Sequence, residues 1–204
     1  SKFNKIKKYP SIFIANEFFD ALAIKQFKKR KNLWFEKYVN LKDLNKAFFY
    51  EKKIDIKKIE KKINYKISHN QNFIEYSQLG LSYLKDISRI IKKNNGALLL
   101  IDYGYTEKKM KNTLKAISKH KFSNVLENIG AKDITHNINF NLFKNFVRRV
   151  DNLECYLTTQ KEFLINMGIK ERAEMVSKNK TFTKKVDIFY RLKRLIDEDQ
   201  MGTL

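Results

Sequence analysis

Short apolar runs that stop abruptly at polar residues, alternating with stretches of helical period, dominate this chain of 204 residues. Ser11-Ile12-Phe13-Ile14-Ala15 follows Pro10 and breaks at once into Asn16, Glu17 and Asp20, which predicts a buried strand ending in a polar cluster. Ile24–Lys28 alternates, 29–32 is a polar turn and Leu33–Val39 resumes, which predicts a β-hairpin; Ala47–Tyr50 adds a third strand. Asp55–Ile63 carries apolar residues three and four apart and predicts a charged surface helix. Behind Phe73–Ser77, the stripe Leu81, Leu84, Ile87, Ile90 and Ile91 predicts a stronger helix, stopped by Asn94-Asn95-Gly96. Ala97–Ile101 is apolar at every position, the pattern of a parallel strand covered on both faces. Helical patterning returns around Leu157–Leu164 and continues through Ile188, Leu192, Leu195 and Ile196. The expected class is α/β. No repeat and no Gly/Ser linker interrupts it, so 1–204 is expected to be one domain, with 23–70 a hairpin and charged helical excursion.

Composition changes this picture little. The net charge of +21 suggests nucleic acid, anionic lipid or an acidic partner. The excess is scattered lysine accompanied by abundant Ile, Asn, Phe and Tyr, all written with A/T-rich codons, so codon bias accounts for it as well as a ligand does. No run of eighteen apolar residues predicts a membrane span. A single cysteine, Cys155, excludes an intramolecular disulfide and fits a reducing compartment. One cysteine and three dispersed histidines give no metal-ligand spacing.

The candidate chemistry lies where apolar strands end, the place where open α/β sheets bind ligands. Asn16, Glu17 and Asp20 form one such group; an ordinary strand end with Asn16 or Asp20 capping the next helix is the competing explanation. Asp102, Tyr103 and Gly104 stand at the end of the strand Ala97–Ile101. His120 and His136 read as loop histidines with local hydrogen bonds.

These blocks resemble one family. Ala15-Asn16-Glu17-Phe18-Phe19-Asp20-Ala21-Leu22 is similar to the signature of the MidA family of class I S-adenosylmethionine-dependent methyltransferases, with Ala23 in place of its usual proline. Further blocks follow in the family's order: Trp34 with Glu36, Gly96 to Gly104, Thr113-Leu114, His120, Asp133 to Phe140, and Thr159-Gln160 to Arg172. Asn139 departs from the family's aspartate, and Met167 from its leucine. A Met-Gly-x-Leu turn, here Met201 to Leu204, leads in the family into a last strand.

The resemblance implies a Rossmann-like sheet with helices on both faces and a β-hairpin insertion. It implies S-adenosyl-L-methionine as cofactor and an arginine of a protein as acceptor, in the family's mitochondrial member linked to assembly of respiratory complex I. Residues before Ile12 hold no glycine-rich turn and no G-x-G occurs, so the chain is expected to be a carboxyl-terminal fragment lacking the amino-terminal strands and the final strand, and inactive alone. In the intact enzyme, Glu17 is expected to clamp the acceptor guanidinium, Asn16 to hydrogen-bond beside it and touch the cofactor, and Asp20 to support or cap. Glu17 and Asp20, three apart, share a face if the segment is helical. Asp102, Tyr103, Gly104 and His136 are expected to line the substrate cleft. The expected location is a bacterial cytoplasm or, alternatively, the mitochondrial matrix. The rival function is a non-catalytic basic assembly or nucleic-acid-binding protein on the same fold. A nucleic-acid methyltransferase is disfavoured, because Asn16-Glu17-Phe18-Phe19 stands where an Asn-Pro-Pro-Tyr base-holding motif would be.

Overall fold

A two-residue turn, Lys31-Asn32, sets the largest sheet. Both residues have positive φ, 44° and 64°, the conformation that matches the twist of a tight hairpin. In the computed structural model, which describes residues 9–43, 46–118 and 121–203, the elements in chain order are β1 (Ile12–Asn16), β2 (Lys25–Arg30), β3 (Leu33–Asp43), β4 (Lys46–Ile54), α1 (Ile56–Ile63), β5 (Phe73–Tyr76), α2 (Gln78–Asn94), β6 (Ala97–Ile101), β7 (Gly104–Tyr105), β8 (Lys115–Ser118), β9 (Lys121–Ser123), β10 (Asp133–Thr135), β11 (Ile138–Asn139), α3 (Phe140–Asp151), α4 (Gln160–Asn166), α5 (Ile169–Ser177) and α6 (Phe182–Ile196). They fall into two compact units, Ser1–Cys155 and Tyr156–Leu204.

In the first unit, β1 pairs parallel with β6, with Ala15 opposite Leu100 and Asn16 opposite Ile101. The antiparallel sheet β4-β3-β2-β5 carries the expected hairpin, and Phe73–Tyr76 joins it as an edge strand that sequence patterning had left unassigned. Helices start where side-chain acceptors stand: Asp55, Ser77 and Asn139 each accept from a backbone N–H of the first turn. Asn139 performs this service as an amide, so the missing carboxylate at that position costs the helix little. Asn95, at φ 59°, ends α2 as expected. Gly96 follows because a Cβ there would lie 2.2 Å from the Ser11 carbonyl oxygen. The core gathers Phe19, Phe27, Trp34, Ile74, Leu81, Leu84, Phe143 and Phe146, with Phe19 set edge-on to Phe143 at 5.2 Å.

Two expectations are corrected. The first strand is not buried: Ile12 and Ile14 are 77% and 71% exposed. β6 is its one partner among the described residues, and only its Phe13–Ala15 face turns inward. The expectation of helices on both faces therefore fails for this pair within the described residues. The segment after β1 is also not helical. Glu17 has φ 45°, and Leu22 N–H donates to the Phe19 carbonyl in a turn. Glu17 is consequently exposed and Asp20 buried, so they do not share a face.

The second unit contains α4, α5 and α6. Gln160 Nε2 donates to the Leu195 carbonyl at 2.9 Å, and Lys161 pairs with Glu198. Gly168, at φ 79°, makes the turn from α4 into α5. No helix of the described residues is long and apolar enough to cross a membrane.

Candidate active site

The parallel register of β1 and β6 brings Asn16 beside Ile101, so two strand ends 85 positions apart release their polar residues together. Glu17 N–H donates to the Ile101 carbonyl at 2.9 Å, carrying the pairing one step beyond the strand. Asp102 then turns inward. Its Oδ2 accepts from the backbone N–H of Phe19 at 3.0 Å and of Asp20 at 3.2 Å, and its Oδ1 from Tyr103 N–H at 2.9 Å. The buried carboxylate thus shapes the 17–20 turn and does not present itself to a cleft. Burial, followed by the negative charge of Asp20, raises its pKa to about 6, against the opposing pull of the three N–H bonds.

Asp20 is 9% exposed and faces the segment after β10. Its carbonyl accepts from His136 N–H at 3.2 Å, and its Oδ2 from the Thr135 hydroxyl at 2.9 Å. Its Oδ1, and Nε2 of His136, are buried with no hydrogen-bond partner among the described residues. A buried polar atom without a partner costs free energy unless a ligand or water meets it. His136 Nδ1 lies 3.4 Å from the Asn137 carbonyl, a weak local contact. Burial also raises the Tyr103 phenol, as do the charges of Glu17 and Asp20 and a hydrogen bond with Glu17.

The structure therefore brings Glu17, Asp20, Asp102, Tyr103 and His136 together. Asn16 is exposed at the tip of β1. Gly104 belongs to β7, where Ile138 pairs with it; a Cβ there would lie 2.3 Å from the Phe140 ring. Its smallness serves packing. His120 lies outside the described residues. No group of His, Cys, Asp and Glu among the described residues could hold a metal ion.

Sequence reasoning missed two contributors. Thr135 holds Asp20, and the only signal for it was its place in the Asp133–Phe140 block. Glu75 is the other. It is a buried carboxylate on β5 that accepts from Gln26 Nε2 and from the backbone N–H and hydroxyl of Thr113, while Asn137 N–H donates to that hydroxyl at 2.8 Å. Glu75 thus anchors the loop that carries His136. A lone carboxylate within an apolar run was its signal.

A cofactor cradle is a different matter. Gly96, Gly104 and Gly202 are packed against their own chain, and Gly80 against Ser77. Gly130 and Gly168 sit in left-handed turns, at φ 87° and 79°. The described residues therefore supply no glycine-lined approach for S-adenosylmethionine, and what they offer is a polar group that could meet an acceptor.

Comparison with known proteins gives the family and the fold. Residues 1–159 match the family described as "Putative S-adenosyl-L-methionine-dependent methyltransferase", and the chain belongs to that family. Mitochondrial protein arginine methyltransferase NDUFAF7 of Danio rerio is 28% identical over 94% of the chain and 45% of its own length. The homolog from Caenorhabditis elegans is 32% identical over 79% of the chain and 38% of its own length. The chain thus spans about half the length of these curated relatives or less. Two crystal structures of a COG1565 superfamily protein from Burkholderia thailandensis share the fold. One, bound to S-adenosyl-homocysteine, has a TM-score of 0.74 at 16% identity, covering 99% of this chain and 54% of its own. The native form has 0.75 at 17%, covering 99% and 55%.

Proposed function

We propose that, as a member of this methyltransferase family, the chain forms the acceptor side of an S-adenosyl-L-methionine-dependent protein arginine methyltransferase, with a subunit of respiratory complex I as a candidate substrate. The names of the relatives support arginine as acceptor, and the unpartnered Asp20 Oδ1 and His136 Nε2, on residues joined by the His136 N–H to Asp20 carbonyl bond, carry the reading at the level of atoms. The cofactor, whose sulfonium supplies the methyl group, would be held by residues beyond those described here. The chain spans less than half of its first relatives' own length, so the activity is proposed for the protein at that full length.

Transfer to a guanidinium needs alignment and loss of one proton. Glu17, exposed at the mouth, attracts the cation. Asp20 Oδ1 accepts one guanidinium N–H, which fixes its plane. His136 Nε2 accepts the proton that the attacking nitrogen loses. Asp102 and Tyr103 hold the turn. Asp20, rather than Glu17, is thereby the positioning carboxylate. The aqueous compartment is a bacterial cytoplasm or, as the relatives' names favour, the mitochondrion.

The test is radiolabelled methyl transfer to an arginine peptide by the protein at its relatives' full length. Asp20→Asn and His136→Gln are each expected to lower kcat by about a hundredfold, while Glu17→Gln mainly raises KM. Undiminished transfer in both Asp20→Asn and His136→Gln would overturn the assignment. Transfer to lysine alone would overturn the substrate class.

A further inference from the structure

The first unit holds a second concave site that the methyl-transfer reading does not use. It is an open cavity of about 530 Å³ lined by Lys57, Glu60, Lys61, Asn64, Tyr65, Lys66, Ser68, His69 and Arg149. Four of these side chains are lysine or arginine and one is a carboxylate. Glu60 is turned to its own chain: its Oε1 accepts from Ser68 N–H at 2.9 Å and from the Ser68 hydroxyl at 2.7 Å. Lys57, Lys61 and Lys66 are exposed, and none makes an ion pair among the described residues. Arg149 sits over the Tyr65 ring at 5.9 Å, and that ring packs edge-on against Phe146 at 5.5 Å. The guanidinium is thus held on a fixed, half-buried platform.

Helix ends explain only part of this. Lys61 lies in the last turn of α1 and Arg149 in the last turn of α3, where the dipole favours cations. Lys57 is in the first turn of α1, where a cation is disfavoured, and Lys66 lies outside any helix. The left-handed Asn64 ends α1, and its N–H donates to the carbonyls of Glu60 and Lys61. Four like charges converging on one hollow repel one another unless an anion joins them.

We propose that this cavity is a binding site for a small polyphosphate group, free or carried on a nucleotide. A planar guanidinium on a fixed platform suits bidentate pairing with a phosphate, and lysines supply point charges around it. The volume is that of a small-molecule site. Cations gathered around one open hollow, rather than strung along a track, disfavour an extended polynucleotide. No aliphatic residue lines the cavity, which disfavours a membrane surface, where apolar side chains would have to insert.

Isothermal titration of the protein with inorganic tripolyphosphate, and separately with ATP, tests this. Both are expected to bind, more weakly as salt rises. The triple variant Lys57→Gln, Lys61→Gln, Lys66→Gln is expected to lose about tenfold or more in affinity. A control of equal charge change at exposed positions elsewhere, Lys28→Gln, Lys31→Gln, Lys53→Gln, is expected to stay within about twofold. Thermal melts check that both variants remain folded. Equal loss in pocket and control variants would overturn the site as mere net charge. Absence of tripolyphosphate and ATP binding would overturn it too, and binding of single-stranded RNA alone would reassign it to polynucleotide. ATP binding much tighter than tripolyphosphate would identify a nucleotide ligand. None of these readouts depends on methyl transfer.

Discussion

The carboxylate of Asp102 accepts the backbone N–H of Phe19 at 3.0 Å across 83 positions of sequence. With the neighbouring bonds from Asp20 and Tyr103, it fixes the turn from which Glu17 and Asp20 emerge. Asp102→Asn replaces one acceptor by an NH₂ that faces N–H donors. It is expected to lose about 1–3 kcal/mol of stability, read by chemical denaturation. An unchanged midpoint would remove the turn-holding role.

The same carboxyl sets a pH dependence. Its folded value, about 6, stands above the ordinary 3.8. Its contribution to stability is therefore complete below the ordinary value and is lost as pH rises through about 6. The stability of the native protein relative to Asp102→Asn is expected to increase as pH falls from about 7 to about 5. Denaturation of both proteins at the two pH values measures this, and a constant difference would contradict the raised value.

Gly104 reads as a site residue in the sequence and as a packing residue in the structure. Gly104→Ala would drive a Cβ to 2.3 Å from the Phe140 ring and 2.6 Å from the Ile138 carbonyl. A loss of roughly 2–3 kcal/mol is expected from overpacking. A melting temperature equal to that of the native protein would show that the β7–β11 pair yields freely.

On the core face of the antiparallel sheet, the buried Glu36 is paired with Lys25 and accepts the Tyr38 hydroxyl at 2.6 Å. That bond, with burial and the charge of Glu36 behind it, pushes the Tyr38 phenol up to about 12. Lys25→Met leaves the carboxylate with the phenol alone. The expected loss is about 2 kcal/mol, between the surface and buried limits for an ion pair. Lys25→Met with Glu36→Gln together should recover much of it, and no recovery would deny the coupling.

Much of the architecture is legible in the residues because it rests on local patterns. The hairpin follows from alternation around Lys31-Asn32, and α2 from one apolar stripe ended by Asn95 and Gly96. The site is legible only by position. Spacing placed Asn16, Glu17, Asp20 and Asp102 at strand ends, but a single positive φ at Glu17 decided which carboxylate is buried. Thr135 and Glu75 act through contacts far apart in sequence, and no periodicity reports those. Exposure of Ile12 and Ile14 was equally invisible, since an apolar strand reads as buried whether or not a neighbour covers it.

A turn substitution gives a direct check on the hairpin. Lys31 holds φ 44° with a side chain that disfavours it. Lys31→Gly is expected to stabilise the protein by up to about 1 kcal/mol. Destabilisation would indicate that the lysine side chain contributes more than its backbone strain.

The two-residue Lys31-Asn32 turn also sets a clock. Closing that hairpin orders a few neighbouring residues, whereas joining Phe19 to Asp102 closes a loop of 83 positions and carries a much larger entropy cost. The β2–β3 ribbon is therefore expected to gain amide protection early in refolding, and the β1–β6 pair late. Pulse-labelled hydrogen exchange would register that order. Chemistry at the end of β1 would then begin only after most of the chain has already found its place.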